Sequence, residues 1–499
     1  VIEYIIIVIY SVALILIFLY ALAQLNLLFN YLGAQKKEDK SLQFNLKNRD
    51  EIPFVTIQLP VYNELYVMKR LLNNIVKLEY PKDRLEIQVL DDSTDESVVT
   101  TKDQIEYLQR KGIDIQHIRR TDRKGFKAGA LKEGLKVAKG EFIAIFDADF
   151  LPKKDWLMKS IPYFKDSRIG VVQTRWGHVN RNYSILTKIQ AFALDAHFTL
   201  EQVGRNCKGH FINFNGTAGI WRKACILDSG NWEGDTLTED LDLSYRAQLK
   251  KWSFKYLEEV VTPAELPVVI SAAKSQQFRW NKGGAENFQK MAKRVLFSKN
   301  ISLKTKIHSL LHLLNSSMFL MIFLVATLSI PMLYIKNEYQ HLASYFYMIR
   351  FFVLSSIIFF ICYWYMFKKT YGSGINNFIK YIGIFFTFFS IAMGFSFHNS
   401  IAVLEGHFGK KSNFIRTPKF NITDTNDSWK DNKYIPKIFG INQLIEGGLT
   451  LYFAFGMYSA FVVGDPQGDF GLFPFHLMLF CGFGFVFIQS FFSKVSSCF

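Results

Sequence analysis

Two carboxylates one residue apart follow an apolar segment in the first third of the chain. The segment Phe142 to Phe146 is apolar, and Asp147 and Asp149 come directly after it. Carboxylates at the end of a strand can both turn toward one divalent cation, and Mg²⁺ is typically held by one or two carboxylates plus substrate phosphates. Alone, this pattern fits a solvated turn equally well, so it predicts a metal site only together with other residues.

A second acidic motif, Asp91-Asp92-Ser93, ends another predicted strand, Leu85 to Leu90. If both segments are strands of one sheet, the two acidic motifs lie at the same edge. There, Asp91 and Asp92 could accept hydrogen bonds from the base and ribose of a nucleotide. The alternative is a helix N-cap formed by Ser93 or Asp95, and both interpretations can hold together.

A basic segment containing two glycines lies between these motifs: Arg123-Lys124-Gly125-Phe126-Lys127-Ala128-Gly129. It opens a predicted helix, and helix N-termini attract phosphate. Its cations could neutralise the part of a diphosphate's negative charge that a single divalent cation does not balance. The alternative is a solvated basic turn.

Two later motifs complete a set that could transfer a sugar. These are Thr238-Glu239-Asp240 and Gln276-Gln277-Phe278-Arg279-Trp280. Inverting glycosyl transfer needs a general base for the acceptor hydroxyl, positive charge for the departing diphosphate and a flat apolar surface for the acceptor sugar. Asp240, Arg279 and Trp280 supply one of each. Separately, the first motif fits an acidic helix start, and Trp280 fits a membrane-interface anchor.

The elements that must position these residues alternate between strands and helices. The predicted strands are Phe54–Leu59, Leu85–Leu90 and Phe142–Phe146. The predicted helices between them are Tyr62–Leu78, Glu96–Lys111 and Lys127–Lys139. Alternation of this kind indicates a largely parallel sheet covered on both faces. Such sheets bind ligands outside the carboxyl ends of their strands, which is where the acidic motifs lie. We predict an α/β domain over about residues 50–298.

Long apolar runs flank this domain. Tyr4 to Tyr31 carries no charged residue, and a membrane-spanning helix needs about 20 residues. A signal peptide is the alternative, but no basic residue precedes the run. We predict that residues 1–35 form a membrane helix with Lys36 on the cytoplasmic side. Further spans are predicted at about 308–335, 345–367, 440–463 and 471–493, within a bundle over 299–499.

One further apolar run, 376–404, has basic residues at both ends. Lys368, Lys369 and Lys380 lie at its start, and Lys410 and Lys411 follow it. Because basic loops favour the cytoplasm, we interpret this run as an interfacial or re-entrant segment that does not cross. Residues 405–437 then form a cytoplasmic loop, and five spans place the N-terminus outside.

Composition agrees with an apolar membrane part joined to a polar domain. Aromatic residues make up 16% of the chain and charged residues 20%, and the net charge is +16. A nucleic-acid binder is an alternative source of that charge, but the Lys and Arg residues flank apolar runs, so we predict membrane lipid and no nucleic acid as partners. The five cysteines form no C-x-x-C pair, so they predict neither a zinc site nor a disulfide framework.

Together, these motifs and the membrane spans resemble the glycosyltransferase family 2 polysaccharide synthases, which include cellulose, hyaluronan and chitin synthases. The shared pattern is an early Asp, a D-x-D, a T-E-D and a Q-x-x-R-W. The likeness runs from about Phe54 to the C-terminus. It implies a GT-A (nucleotide-diphospho-sugar transferase) domain inserted between transmembrane helices.

The resemblance also implies residue roles. Tyr62, Glu64, Asp91 and Asp92 would hold the nucleoside, Lys127 would contact the diphosphate, and Asp147 and Asp149 would bind Mg²⁺ or Mn²⁺. Asp240 would be the catalytic base within Thr238-Glu239-Asp240, while Gln276 and Arg279 would line the donor site. The predicted acceptor-side residues are Trp280, Phe214, Asn215, Gly216 and Thr217.

A cytoplasmic segment, Phe414-Ile-Arg-Thr-Pro-Lys419, is similar to the F-x-V-T-x-K loop that closes over the loaded site in cellulose synthases. Phe414, Thr417 and Lys419 match that loop, and Thr417 and Lys419 are therefore predicted donor contacts. Arg416 stands where the loop has Val, so no role transfers to it.

Three segments carry a closer likeness to plant-type mannan, glucomannan and xyloglucan-backbone synthases: Gln173-Thr-Arg-Trp-Gly-His178, Ala193-Leu-Asp-Ala-His197 and Arg416-Thr-Pro-Lys419. The implied activity is transfer of a hexose from UDP-glucose or GDP-mannose to a growing β-linked polysaccharide, with a β-1,4 linkage and coupled export. The enzyme would lie in the inner or plasma membrane with its catalytic domain in the cytoplasm, and accessory export subunits are compatible with it. The alternatives are a glycolipid-forming transferase with a lipid acceptor and a transporter or receptor that only binds nucleotide.

Overall fold

The structure is a computed structural model that describes residues 1–34, 52–412, 414–435, 440–464 and 467–495. Of the predicted loop over 405–437, residues 413, 436 and 437 lie outside the described residues. Lys36 also lies outside them.

A seven-stranded sheet forms the centre of the domain, in the order β3–β2–β1–β4–β6–β5–β7. Six strands run parallel and β6 alone is antiparallel to its neighbours, which confirms a largely parallel sheet. The strands are β1 Val55–Val61, β2 Leu85–Asp91, β3 Ile115–Ile118, β4 Phe142–Ile145, β5 Ile169–His178, β6 Gly219–Arg222 and β7 Ser253–Ala264.

Helices cover both faces of the sheet. Two buried apolar clusters lie on opposite faces, because successive residues of β4 such as Ile143 and Ala144 belong to different clusters. The helices of this domain are α2 Met68–Ile75, α3 Ser97–Arg110, α4 Phe126–Val137, α5 Trp156–Ser160, α6 Ile185–Ala196, α7 Gln202–Asn206, α8 Lys223–Asp228 and α9 Glu239–Leu249. A π-helical turn, His197–Glu201, joins α6 to α7.

The predicted helix Tyr62–Leu78 is shorter in the structure, where α2 begins at Met68. The preceding residues form a loop, and Asn63 adopts a left-handed backbone with φ 54°. Its side-chain oxygen accepts a hydrogen bond from the Thr94 N–H at 2.9 Å. This contact binds the loop after β1 to the loop after β2, and the helix starts only beyond it.

The remaining helices form an apolar bundle beside the domain. They are α1 Ile2–Ala34, α10 Ile270–Phe297, α11 Leu303–Leu313, α12 Met318–Glu338, α13 Ala343–Ile349, α14 Val353–Tyr371, α15 Ile375–Gly394, α16 Ser396–His407, α17 Ile441–Val462 and α18 Phe473–Val495. Five helical segments among the described residues are long and apolar enough to cross a membrane: Ile2–Ala34, Asn315–Glu338, Gln340–Tyr371, Ile375–Gly394 and Phe473–Phe492.

This set differs from the predicted spans at two positions. The predicted span 440–463 corresponds to α17, which contains the buried Glu446 and is not among the five. Helix α15, within the run predicted not to cross, is among them.

The contacts of α15 are relevant to whether this helix crosses the membrane. Tyr381 in its first half and Phe388 in its second half both pack on Phe192 of the domain helix α6, with ring centroids 6.3 and 5.3 Å apart. These contacts place the middle of α15 beside α6 of the domain. That this run does not cross remains a prediction.

Glycines allow the backbones of α15 and α18 to touch. A Cβ added to Gly482 would lie 1.8 Å from the Ser390 carbonyl oxygen, and one added to Gly394 would lie 2.3 Å from the Gly482 oxygen. Small residues at a helix crossing are typical of helices that pack in membranes. This crossing fixes α15, and with it α16, against the last helix.

Candidate active site

The carboxyl ends of the central strands bring most of the predicted residues into one cavity. Val61 at the end of β1 pairs with Asp91 at the end of β2, and Asp147 follows the neighbouring strand β4. The cavity measures about 110 Å³. The predicted residues that line it are Lys127, Asp147, Asp149, Asn215, Gly216, Thr238, Glu239, Asp240, Gln276, Arg279, Trp280 and Lys419.

Asp147 and Asp149 each face a lysine. Lys127 Nζ lies 2.5 Å from Asp147 Oδ1, and Lys419 Nζ lies 2.7 Å from Asp149 Oδ2. The other oxygen of Asp149, Oδ1, is buried without a hydrogen-bond partner among the described residues. A buried carboxylate oxygen needs a partner, and a divalent cation between the two aspartates would provide one. The residues present therefore fit the predicted Mg²⁺ or Mn²⁺.

Asp240 lies in the first turn of α9, which begins at Glu239. Burial and, to a smaller extent, the neighbouring Glu239 carboxylate raise the pKa of Asp240 to about 7, although Lys127 opposes both effects. Burial likewise raises the pKa of Glu239. A general base is most effective when its pKa is near the working pH, so Asp240 has the environment that a base requires.

Helix α10 holds the Thr238-Glu239-Asp240 turn in place. Asn287 Nδ2 donates to Thr238 Oγ1 at 2.9 Å and lies 3.1 Å from the Thr238 carbonyl oxygen. At Gly283, an added Cβ would lie 2.5 Å from Thr238 Oγ1. The helix that carries Gln276, Arg279 and Trp280 therefore contacts the turn that carries Asp240.

The segment 414–435, which we call the strap, covers the cavity. Phe414 stacks on Phe126 with ring centroids 5.4 Å apart, and the Arg279 guanidinium lies 4.8 Å from the Phe414 ring. Arg279 also donates to Thr417 Oγ1 at 3.2 Å. Together with the Lys419 ion pair to Asp149, these contacts place the first part of the strap against the part of the cavity that Asp149 and Arg279 line.

The strap also reaches the loops after β1 and β2. Arg416 forms an ion pair with Glu64 at 2.8 Å. Burial raises the pKa of Glu64 to about 7, although Arg416 opposes the shift. Farther along, Tyr434 donates to Asp95 and packs on Tyr66. The sequence assigned no role to Arg416 or Tyr434, because the resemblance carried none to them.

The four residues predicted to hold the nucleoside lie beside this cavity and do not line it. Asp91 accepts from His117 and from the Ser93 N–H, each at 2.8 Å. Asp92 pairs with Arg120 at 2.5 Å. The Tyr62 ring lies 3.3 Å below the Arg123 guanidinium, and Glu64 is the partner of Arg416. They surround the loops of β1 and β2, where the strap also docks.

The predicted acceptor loop divides between the cavity and the core. Asn215 and Gly216 line the cavity, and an added Cβ at Gly216 would lie 3.1 Å from Asp240 Oδ2. The Phe214 side chain is fully buried against Trp221, so it supports the loop and was wrongly predicted as an acceptor contact. Thr217 is also buried, and its hydroxyl accepts from the Asp147 N–H at 2.9 Å.

A second, larger cavity of about 410 Å³ continues from this site into the helical bundle. The two cavities share Trp176, Leu194, Asn215, Thr238, Asp240, Gln276 and Trp280. The bundle side is lined by residues of the helices, including Tyr20, Gln24, Phe319, Phe359, Tyr363 and Phe388. Trp176 and His197 lie in segments that the sequence singled out, but nothing in the pattern predicted that they face a cavity.

A separate acidic cluster does not add a metal site. Glu233, Asp235 and Asp242 bring their carboxylates together. Lys290 already pairs with all three, at 2.7, 2.8 and 2.9 Å. The cluster therefore has a cation of its own.

Comparison with known proteins agrees with this geometry. Residues 53–283 match the family model described as glycosyltransferase like family 2. This part of the chain is a glycosyltransferase family 2 domain. It has the GT-A-like mixed sheet, flanked by apolar helices.

Curated plant proteins are similar to about half of the chain. Glucomannan 4-beta-mannosyltransferase 2 of Arabidopsis thaliana is 43% identical over 287 residues, which cover 55% of this chain and 53% of that protein. Probable glucomannan 4-beta-mannosyltransferase 11 of Oryza sativa subsp. japonica is 45% identical over 264 residues, covering 51% and 46%. The chain thus spans about half the length of these curated relatives.

A solved structure shares the fold at low identity. The mannosyltransferase PcManGT from Pyrobaculum calidifontis, solved with GDP-Man and Mn²⁺, superposes with a TM-score of 0.53 and 18% identity. The match covers 81% of this chain and 100% of that one.

Proposed function

We propose that this family 2 glycosyltransferase transfers a hexose from a nucleotide-diphosphate sugar to a growing β-1,4-linked polysaccharide and passes the product into its own membrane helices. The observation that carries this proposal is the pair of joined cavities. Asp240 and Trp280 line both, with Asp147, Asp149 and Arg279 on the donor side and membrane helices on the other.

In this mechanism, Asp240 accepts the proton of the acceptor hydroxyl as its oxygen attacks the anomeric carbon of the donor. The new glycosidic bond forms while the bond from that carbon to the diphosphate oxygen breaks, and the electron pair leaves with the diphosphate. Lys127 and Arg279 lie where they can bind this departing group. A divalent cation held by Asp147 and Asp149 would supply further positive charge.

Trp280 and Trp176 give the acceptor an apolar surface at the junction of the cavities. Sugars present apolar C–H faces, and aromatic rings bind such faces while hydroxyls are satisfied at the ring edges. The second cavity combines aromatic residues such as Phe359 and Tyr363 with polar ones such as Gln24. That mixture suits a sugar chain better than a lipid tail, which needs no polar partners.

The strap would respond to the donor. Lys419 pairs with Asp149 and Arg279 with Thr417, and all four residues lie on the donor side. When the diphosphate and the divalent cation bind, we expect Lys419 to turn from Asp149, and Arg279 from Thr417, toward the phosphate oxygens. The strap must then lie on the same side of the membrane as the donor, which is the cytoplasm.

The donor sugar is proposed as mannose, carried by GDP. The plant relatives are named mannosyltransferases, and they are more than 40% identical to about half of this chain. UDP-glucose is the alternative donor, because glucose and mannose differ only in the orientation of one hydroxyl.

The test is a donor screen on the purified full chain in lipid, with Mg²⁺ or Mn²⁺ and radiolabelled GDP-mannose or UDP-glucose. We expect polymer that β-1,4-mannanase or β-1,4-glucanase degrades, and none from Asp240→Asn. Glu259→Gln is a matched control, since Glu259 is exposed on β7 and does not line either cavity. If the product is a lipid that carries one sugar, the enzyme makes a glycolipid and is not processive. If neither donor supports transfer, the proposal is contradicted.

A further inference from the structure

A partly buried hydrogen-bonded chain leads from the membrane helices to Asn215 at the junction of the two cavities. Glu201 Oε2 lies 3.0 Å from His197 Nδ1, and His197 Nε2 lies 3.2 Å from Asn215 Nδ2. His197 and Glu201 line the larger cavity, and Asn215 lines both. The residues belong to one π-helical turn and to the loop before β6, so the chain joins two separate elements.

The partners of Glu201 fix it as an anion. Burial alone would raise its pKa, but Arg205 at 3.2 Å and the His197 hydrogen bond hold the pKa of Glu201 below its ordinary value. Gln24 of α1 donates to its other oxygen at 2.9 Å. A carboxylate only accepts hydrogen bonds, so His197 must carry a proton on Nδ1.

The orientation of Asn215 follows from that proton. The Asn215 amide nitrogen lies 3.2 Å from His197 Nε2, and because an amide nitrogen only donates, Nε2 accepts one N–H of the Asn215 amide. The Asn215 oxygen accepts from Gln202 Nε2 at 2.7 Å, which is consistent with the same orientation. Among the described residues, no second partner accepts from Asn215 Nδ2. Its other N–H is left for a ligand in the cavities that Asn215 lines.

We propose that Asn215 donates this N–H to a ring hydroxyl of the terminal acceptor sugar, and that Glu201 and His197 are positioning residues that hold the amide in this orientation. The inference rests on the proposed function. Asn215 precedes Gly216, whose Cβ position is 3.1 Å from Asp240 Oδ2. The contact therefore lies beside the base and orients the hydroxyl that Asp240 deprotonates. A π-helical turn at this point agrees with the frequent location of such turns at functional sites.

The test measures acceptor and donor kinetics separately, with a reducing-end-labelled β-1,4-manno-oligosaccharide and GDP-mannose on the full chain in lipid. Glu201→Gln keeps the shape but can donate to Nδ1, which allows the opposite tautomer and turns the Asn215 amide round. We expect the acceptor KM to rise about 3- to 10-fold, as for one hydrogen bond. The donor KM and the hydrolysis of donor without acceptor should stay within about 2-fold.

A double-variant cycle separates positioning from a general structural role. If Glu201 acts through Asn215, the double variant Glu201→Gln/Asn215→Ala should have the acceptor KM of Asn215→Ala alone. Multiplicative effects of the two changes, or an unchanged acceptor KM in Glu201→Gln, would overturn the inference. Glu86→Gln is the matched control, because Glu86 is a buried hydrogen-bonded carboxylate on β2 away from both cavities. It should leave the acceptor KM unchanged.

Two outcomes are kept apart by design. Wild-type protein that transfers from neither donor contradicts the proposed function, whereas active protein with an unaltered acceptor KM contradicts only this inference. Thermal unfolding of each variant checks that it folds. If Glu201→Gln does not fold, His197→Phe keeps a ring and removes both nitrogens, and the same increase in acceptor KM is expected.

Discussion

The clearest prediction concerns the pH dependence of sugar transfer. Asp240 must be ionised to accept the acceptor proton, and its pKa is raised to about 7 by burial and by Glu239. A base with a raised pKa is protonated and inactive below that value. Activity should therefore rise with pH through about 7, whereas an exposed aspartate would already be ionised at pH 5.

The magnitude follows from that pKa. For a single group with a pKa of about 7, roughly one tenth is ionised at pH 6 and roughly nine tenths at pH 8, so kcat should rise about 10-fold over this interval. Changing Glu239 to Gln removes the neighbouring negative charge. The midpoint of the profile should then move to lower pH, because less repulsion opposes ionisation of Asp240.

The assay is the initial rate of sugar transfer at saturating donor and acceptor between pH 5.5 and 8.5, at constant ionic strength. Asp240→Asn should lower kcat by about 10²–10⁴ and remove the pH dependence below 8. Two results would refute the reasoning: a profile that is flat from pH 6 to 8 in the wild type, or an Asp240→Asn variant that keeps its activity. A midpoint that moves to higher pH in Glu239→Gln would show that Asp240 is not the group being titrated.

Three further predictions test the rest of the site. Lys419→Met removes the strap's cation from the donor side and should raise the donor KM about 10-fold, as loss of a charge-assisted hydrogen bond would. The control Lys430→Met, at an exposed strap position, should leave the donor KM unchanged. Equal effects of the two substitutions would contradict a specific role of Lys419. Asp149→Asn removes half of the charge offered to the cation, so the Mg²⁺ concentration for half-maximal rate should rise at least about 10-fold in a metal titration. Gly283→Ala places a Cβ 2.5 Å from Thr238 Oγ1 and should lower kcat at least about 10-fold without unfolding the domain by circular dichroism; full activity would show that the turn can shift freely.

The parallel sheet and its acidic edge could be predicted from the sequence for a local reason. Strands such as Phe142–Ile145 are buried on both faces and so appear as unbroken apolar runs. A carboxylate after such a run has to lie at the carboxyl end of the sheet. Asp147 and Asp149 therefore needed only their immediate neighbours to be placed correctly.

Contacts between distant segments could not be predicted in this way. The N-terminal shortening of α2 depends on Asn63, which bonds to Thr94 in another loop. The direction of Phe214 depends on the space beside Trp221, which only the folded core defines. The sequence pattern of neither segment carries information on these partners, so the helix was predicted too long and the Phe was assigned to the wrong side of its loop.

Helix α10 contacts both helices that flank the strap. Helix α10 carries Gln276, Arg279 and Trp280, and it is tied to the helix before the strap at two positions. Gln277 accepts from Asn399 at 2.8 Å, and Lys282 pairs with Glu405 at 3.0 Å. A third tie, the buried pair of Lys274 with Glu446 at 2.7 Å, reaches the helix after the strap.

In the proposed function, these contacts connect the strap over the donor to the acceptor surface at Trp280 through one helix. Buried ion pairs are strongly destabilising when only one partner is removed, so the strap's two flanking helices cannot easily move independently of Trp280. If the strap shifts when the donor binds or the diphosphate leaves, α10 is the element that can carry that shift to the acceptor terminus. The proposed processive elongation needs such a connection, because the donor site would have to reopen each time the polysaccharide moves by one sugar into the second cavity.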